Sequence, residues 1–122
     1  MKTCYNILHA QYPNACIKIP DKDYNKPTRA FLWDELVSSY MEDYQYLINA
    51  TDCDDFALFL HAWIRQRQYR EKWRQPLAFG EAWSSKHAFN ISILNTNEVV
   101  LIEPQNDNIL PPDTYDVKFI RM

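Results

Sequence analysis

Glycine is the scarcest structural resource in this chain, with Gly80 alone among 122 residues. Loops that cradle phosphates and turns that carry dinucleotides need several glycines for close backbone approach, so those enzyme classes are excluded. There is no serine nucleophile elbow either. Long apolar runs are also missing. Nothing approaches the roughly 18 residues that span a bilayer, and Met1–Ala10 carries one lysine but no apolar stretch. The expectation is a soluble, cytoplasmic chain without an export signal or a membrane partner. Cysteine is sparse and odd in number: Cys4, Cys16 and Cys53 form no close pair, which fits neither a disulfide framework nor a two-thiol metal knuckle. Positive charge is not in excess, since the formal charge is -3, and this argues against nucleic acid as a partner.

What the chain does have is large rings. Aromatic residues make up 15% and hydrophobic residues 47%, enough for one compact domain with a real core. Seven prolines punctuate it. The spacing predicts a short helix near Thr3 to Ala10 and another from Thr28 through Tyr40, with Asp34 and Glu35 facing outward. Between them lies a loop with a short strand at Cys16 to Ile19. Asp52 to about Trp73 is the clearest helix, because Cys53, Phe56, Ala57, Leu60 and Ile64 fall on one stripe. Thr51 or Asp52 can cap it, and Asp54 and Asp55 complement the positive end of its dipole. After Pro76 the period becomes two, predicting strands at Leu77 to Ser84, His87 to Leu94 and Glu98 to Glu103, with Val117 to Arg121 as a fourth. Asn95, Thr96 and Asn97 supply a hairpin turn. The order, helices and then an antiparallel sheet, gives the expectation of an α+β fold.

A cysteine in the first turn of a buried helix has its thiolate favoured by converging amides and the helix dipole. The hairpin brings His87 and Glu103 onto adjacent strands as lateral neighbours. Cys53 as nucleophile, His87 as base and Glu103 as the group that orients the imidazole would together perform acyl transfer through a thioester. Three carboxylates around Cys53, from Asp52, Asp54 and Asp55, oppose ionisation of the thiol. A hard divalent cation, Ca²⁺ or Mn²⁺, would offset them; otherwise the acids point to solvent as capping groups. Arg65 to Arg74 alternates basic residues with Gln66, Gln68, Tyr69 and Trp73. That pattern suits a solvated helix face, a phosphate backbone or an acidic protein partner.

The run D-C-D-D-F-A at Asp52 to Ala57, H-A-F-N at His87 to Asn90 and L-I-E-P-Q at Leu101 to Gln105 resemble papain-like and transglutaminase-like cysteine enzymes. C-D-D followed by E-P-Q is similar, more closely, to the papain-like C-terminal domain of mushroom lectins of the Marasmius oreades agglutinin type. The D-C-D-D-F-A to H-A-F-N layout also resembles that of small phage and bacterial proteins. The resemblance covers Thr51 to Asn106. It implies Cys53, His87 and Glu103 as a triad and Asp54, Asp55 and Gln105 as ligands of Ca²⁺ or Mn²⁺, with no organic cofactor.

The resulting expectation is a single domain over residues 1–122, with residues 1–50 as a helical extension. Residues 51–122 would form a papain-like or transglutaminase-like core, a Cys-bearing helix packed on a small antiparallel sheet. The expected function is a cysteine hydrolase or acyltransferase acting on a peptide, protein or other amide. The alternative is a non-catalytic binding or inhibitor protein that uses the same fold to hold a protein partner or a small ligand.

Overall fold

The computed structural model describes residues 3–44, 47 and 52–122. Three helices form where the periodicity places them. Helix α1 spans Cys4–Gln11 and opens on Thr3, whose hydroxyl accepts the Asn6 amide at 3.1 Å. Helix α2 spans Arg29–Ser39, and Thr28 caps it in the same way through Phe31 N. Helix α3 runs from Cys53 to Arg70. Its cap falls on Asp52, whose amide donates to Asp55 Oδ2 at 3.1 Å while its carbonyl accepts Phe56 N. Thr51, the other cap considered, lies outside the described residues. Six strands follow the chain as β1 (Cys16–Lys18), β2 (Phe79–Trp83), β3 (Ala88–Ile93), β4 (Val99–Glu103), β5 (Asn108–Leu110) and β6 (Phe119–Arg121).

These strands make one sheet in the order β1-β6-β2-β3-β4-β5. Every pairing is antiparallel except β1 with β6, where Cys16 faces Phe119 in a parallel register. The expected small antiparallel sheet behind a helical extension is therefore corrected. The sheet is mixed, and its first strand comes from the N-terminal segment, so residues before Cys53 are built into the core. The physical reason is that Ile17 and Ile19 pack against the cluster formed by Ile120, Phe89 and α1.

Strand alternation divides the core between two faces. Phe89, Ile91, Ile93, Leu101 and Ile120 meet Cys4, Ile7 and Leu8 of α1 on one face. Phe79, Val100 and Ile102 meet Leu32 and Leu36 of α2 and Leu60 and Ile64 of α3 on the other. The sheet is thus covered on both sides, which explains why β3 is buried along its whole length.

Polar side chains lock α3 to the sheet. Asn90, fully buried, donates from Nδ2 to Ala57 O at 2.9 Å and to Gly80 O at 3.0 Å. Arg65 donates to Phe79 O at 2.7 Å and Leu77 O at 3.2 Å. Glu35 does not face outward as expected. It is buried and accepts Arg67 Nε at 2.7 Å, so two residues read as solvated helix faces instead join α2 to α3.

Candidate functional site

His87 directly precedes β3, held in a tight turn where Ser84 N donates to His87 O at 2.8 Å. Glu103 closes β4. The register pairs Asn90 with Ile102. Extended outward, it sets Gln105 opposite His87 and makes Glu103 the diagonal neighbour on the same face. His87 Nε2 lies 2.7 Å from Glu103 Oε2, with both side chains mostly buried. An ionised Glu103 can only accept, so Nε2–H is then the donor of this hydrogen bond. The His87 ring stands 5.8 Å from Phe89 and 5.2 Å from Tyr115, and Tyr115 stacks on Phe89 at 4.5 Å. Burial, and then the Glu103 charge, push the Tyr115 phenol up.

Cys53 is the first residue of α3 and is half-buried. One helical turn from Ala57, about 6 Å, leads back to Cys53, and two residues back from Asn90 lead to the start of β3. The first turn of α3 and His87 thus belong to the same end of the fold. Asn90 points to α3, whereas Phe89, whose ring stands 5.8 Å from that of His87, packs on the α1 face. Among the described residues no hydrogen bond joins Cys53 Sγ to His87.

Asp52, Asp54 and Asp55 crowd the same helix start, each offering an oxygen within 4.8 Å of the others. The Asp52 carboxyl is pushed up, first by its hydrogen bond with Asp54, then by desolvation and by the charges of Asp54 and Asp55. The donors are all hard oxygens, which suits a divalent cation of the Ca²⁺ class. Gln105 lies in the β4–β5 turn, where its amide donates to Glu103 Oε1 at 3.4 Å.

Beside the His87–Glu103 pair is an open cavity of about 460 Å³, lined by Glu103, Gln105, Asn106, Asn108, Thr114 and Tyr115 with Leu110. Sequence reasoning found only the first two of these. Asn108 and Leu110 belong to the three-residue strand β5, too short for an alternation signal. Thr114 and Tyr115 sit past the Pro111–Pro112 pair, where turn chemistry was legible but its position beside β4 was not.

No protein-family model matches the chain, and no curated protein sequence matches it. Solved structures do. The fold is shared with a structure described as a PSL1a–E64 complex, at 22% identity and a TM-score of 0.83, over 99% of this chain and 51% of that one. It is shared as well with Polyporus squamosus lectin bound to the epitope Neu5Acα2-6Galβ1-4GlcNAc, at 23% identity and a TM-score of 0.81, over 99% of this chain and 49% of that one. This chain therefore spans about half the length of either neighbour. These likenesses correct the expected membership among papain-like and transglutaminase-like cysteine enzymes, and with it the papain-like core. The reading as a cysteine hydrolase or acyltransferase, with its protease character, is corrected with them, and these likenesses sit better with the alternative of a binding protein. What the comparisons establish for the chain is its fold, the one found in half of a lectin chain.

Proposed function

We propose that this chain is a ligand-binding domain that holds a hydroxyl-rich small molecule of the carbohydrate class at the end of the sheet where His87, Glu103 and Tyr115 meet. The observation that carries this reading is the chemistry of the cavity lining. One carboxylate, three carboxamides and a hydroxyl offer paired donors and acceptors matched to vicinal hydroxyls, beside an aromatic ring that can cover an apolar sugar face. Glu103 is held by His87, and Asn106 Oδ1 accepts Asn108 N at 3.0 Å, so the lining is set before any ligand arrives. The sugar epitope bound by Polyporus squamosus lectin lends support to the ligand class.

Calorimetric titration with Galβ1-4GlcNAc and its sialylated form tests the reading. Tyr115→Ala is expected to weaken binding about tenfold, within the range for losing a central aromatic contact. Glu103→Gln is expected to shift the preference toward the sialylated sugar, because the native carboxylate repels a second negative charge. Equal affinity of both variants and the native chain for both sugars would remove the cavity from consideration.

We further propose a role for the thiol at the same end, supported by the place of Cys53 in the first turn of α3. In this reading Cys53, His87 and Glu103 act together: Glu103 fixes His87, and the first amides of α3 favour the Cys53 thiolate. With iodoacetamide as the probe, the thiolate sulfur forms a bond to the methylene carbon and iodide leaves. Cys53 is expected to be the labelled thiol. Burial pushes the Cys4 thiol up, and Cys16 stands exposed on the edge strand β1, away from any helix start. Intact-mass analysis should find one adduct, lost in Cys53→Ser and slowed in His87→Ala; adducts at Cys16 alone would refute the assignment. Asp54 and Asp55, with Gln105, are proposed to take Ca²⁺ or Mn²⁺, which would relieve the repulsion at the head of α3.

A further inference from the structure

The far end of α3 carries the opposite charge from its beginning. Of the basic stretch noted in the sequence, Arg65 is spent on backbone carbonyls and Arg67 on Glu35 and Glu71. Arg70, Lys72 and Arg74 are exposed, and no ion pair engages them among the described residues. Tyr69 beside them is 85% exposed, the most exposed of the large hydrophobic residues. An 18-residue helix separates this cluster from Asp52, Asp54 and Asp55 by about 27 Å, so a chain of net charge -3 still gathers a group of cations at this pole.

A cavity of about 550 Å³ adjoins that pole, lined by Thr3, Cys4, Lys22, Asp23, Tyr24, Lys26 and Gln75. Gln75 follows Arg74 in the chain, and Asn25 is tied to the same loop, its amide donating to Pro76 O and its carbonyl accepting Ala78 N, both at 2.8 Å. Two more lysines thereby extend the cluster. Lys26 spends one hydrogen bond on the neutral Asn97 side chain at 2.6 Å and has no ion pair among the described residues.

We infer that this pole binds an anionic sugar chain, sulfated or carboxylated, with the anionic groups on Arg70, Lys72, Arg74 and Lys22 and a ring against Tyr69. Two features favour a sugar over a nucleic acid. Asp21 and Asp23 flank Lys22, and Thr3 and Gln75 line the cavity. Sugar hydroxyl groups can donate to these acceptors, whereas the backbone of DNA brings no donor, only negative charge at about one per 1.7 Å for the duplex. The surface is separate from the cavity at Glu103, and the inference does not rest on the function proposed for that cavity.

The test is titration of the full chain with a heparin-derived octasaccharide at about 0.05 M salt, where screening is weak. The combined variant R70Q, K72Q, R74Q is expected to bind about tenfold more weakly, as three exposed charge contacts would require. A control carrying K86Q and K118Q, cations elsewhere on the surface, should bind within about twofold of the native chain. The circular dichroism of both should match the native chain, because the altered side chains are exposed. Should the triple variant unfold, R70K with R74K must keep the affinity, and added salt must abolish binding by the native chain. Undiminished binding by the folded triple variant overturns the inference. So does equal loss in the control, or equal affinity for an oligonucleotide or polyglutamate of the same charge.

Discussion

Gly80→Ala is expected to destabilise the fold by about 3 kcal/mol, at the upper end for forcing an extra carbon into a packed interior. Gly80 lies in β2, where the end of β6 crosses close above it. A methyl group there would run into the Arg121 carbonyl oxygen and stand 2.8 Å from Met122 Cα and 2.9 Å from the Arg121 carbonyl carbon. All three are main-chain atoms, and β6 is pinned from both sides. Its residues pair with β1 and β2, and Met122 N donates to Lys18 O at 3.0 Å. The clash can be relieved only by parting β6 from β2, which sacrifices ladder hydrogen bonds. Backbone dihedrals play no part, since no glycine here has positive φ. Urea denaturation reads the effect as a lower midpoint with an unchanged slope. A variant as stable as the native chain would mean that β6 does not pack so closely.

Glu81→Ala is the second large effect, about 3 kcal/mol, the low end for breaking a buried ion pair. Glu81 is 1% exposed and accepts Arg121 Nη2 at 2.8 Å and 3.0 Å on its two oxygens, while His61 Nδ1 lies 3.0 Å away. Arg121 is half exposed and can turn to water, which keeps the loss at the low end; His61 is buried and cannot. Burial alone would raise the Glu81 carboxyl, but hydrogen bonds and charge from His61 and Arg121 outweigh it and hold the group below the ordinary glutamate range. A carboxyl with a depressed folded-state value contributes stability that is complete above its unfolded value. That contribution is lost as pH falls through the folded one. The difference in stability between native chain and Glu81→Ala should therefore be constant at neutral pH and shrink in acid. A difference that grows in acid would contradict the ionised state.

The contrast between what could and could not be read from the sequence follows the range of the interactions involved. The stripe of Phe56, Ala57, Leu60 and Ile64 and the alternation of Phe89, Ile91 and Ile93 are local patterns, and both faces are buried as those patterns require. The His87–Glu103 pair was also legible, because one hairpin turn fixes it. Glu35, His61 and Glu81 were not. Each is a polar residue buried by a partner between 20 and 40 residues away, and no periodicity carries that information. Strand β1 could be seen as a strand, but its parallel pairing with β6 joins nearly the two ends of the chain. Cys53 illustrates a subtler loss. Its place at the head of α3 was legible, yet the face from which α3 approaches the sheet depends on Asn90 and Ala57, not on the motif around the cysteine.

The reading of this chain as a binding domain is tested most directly by recording amide ¹H–¹⁵N spectra of the labelled full chain while Galβ1-4GlcNAc is added. The expected result is saturable shifts confined to Glu103, Gln105, Asn106, Asn108, Thr114, Tyr115 and the neighbouring His87, with the sugar recovered unchanged. Shifts clustered elsewhere on the fold, or none at millimolar sugar, would contradict it.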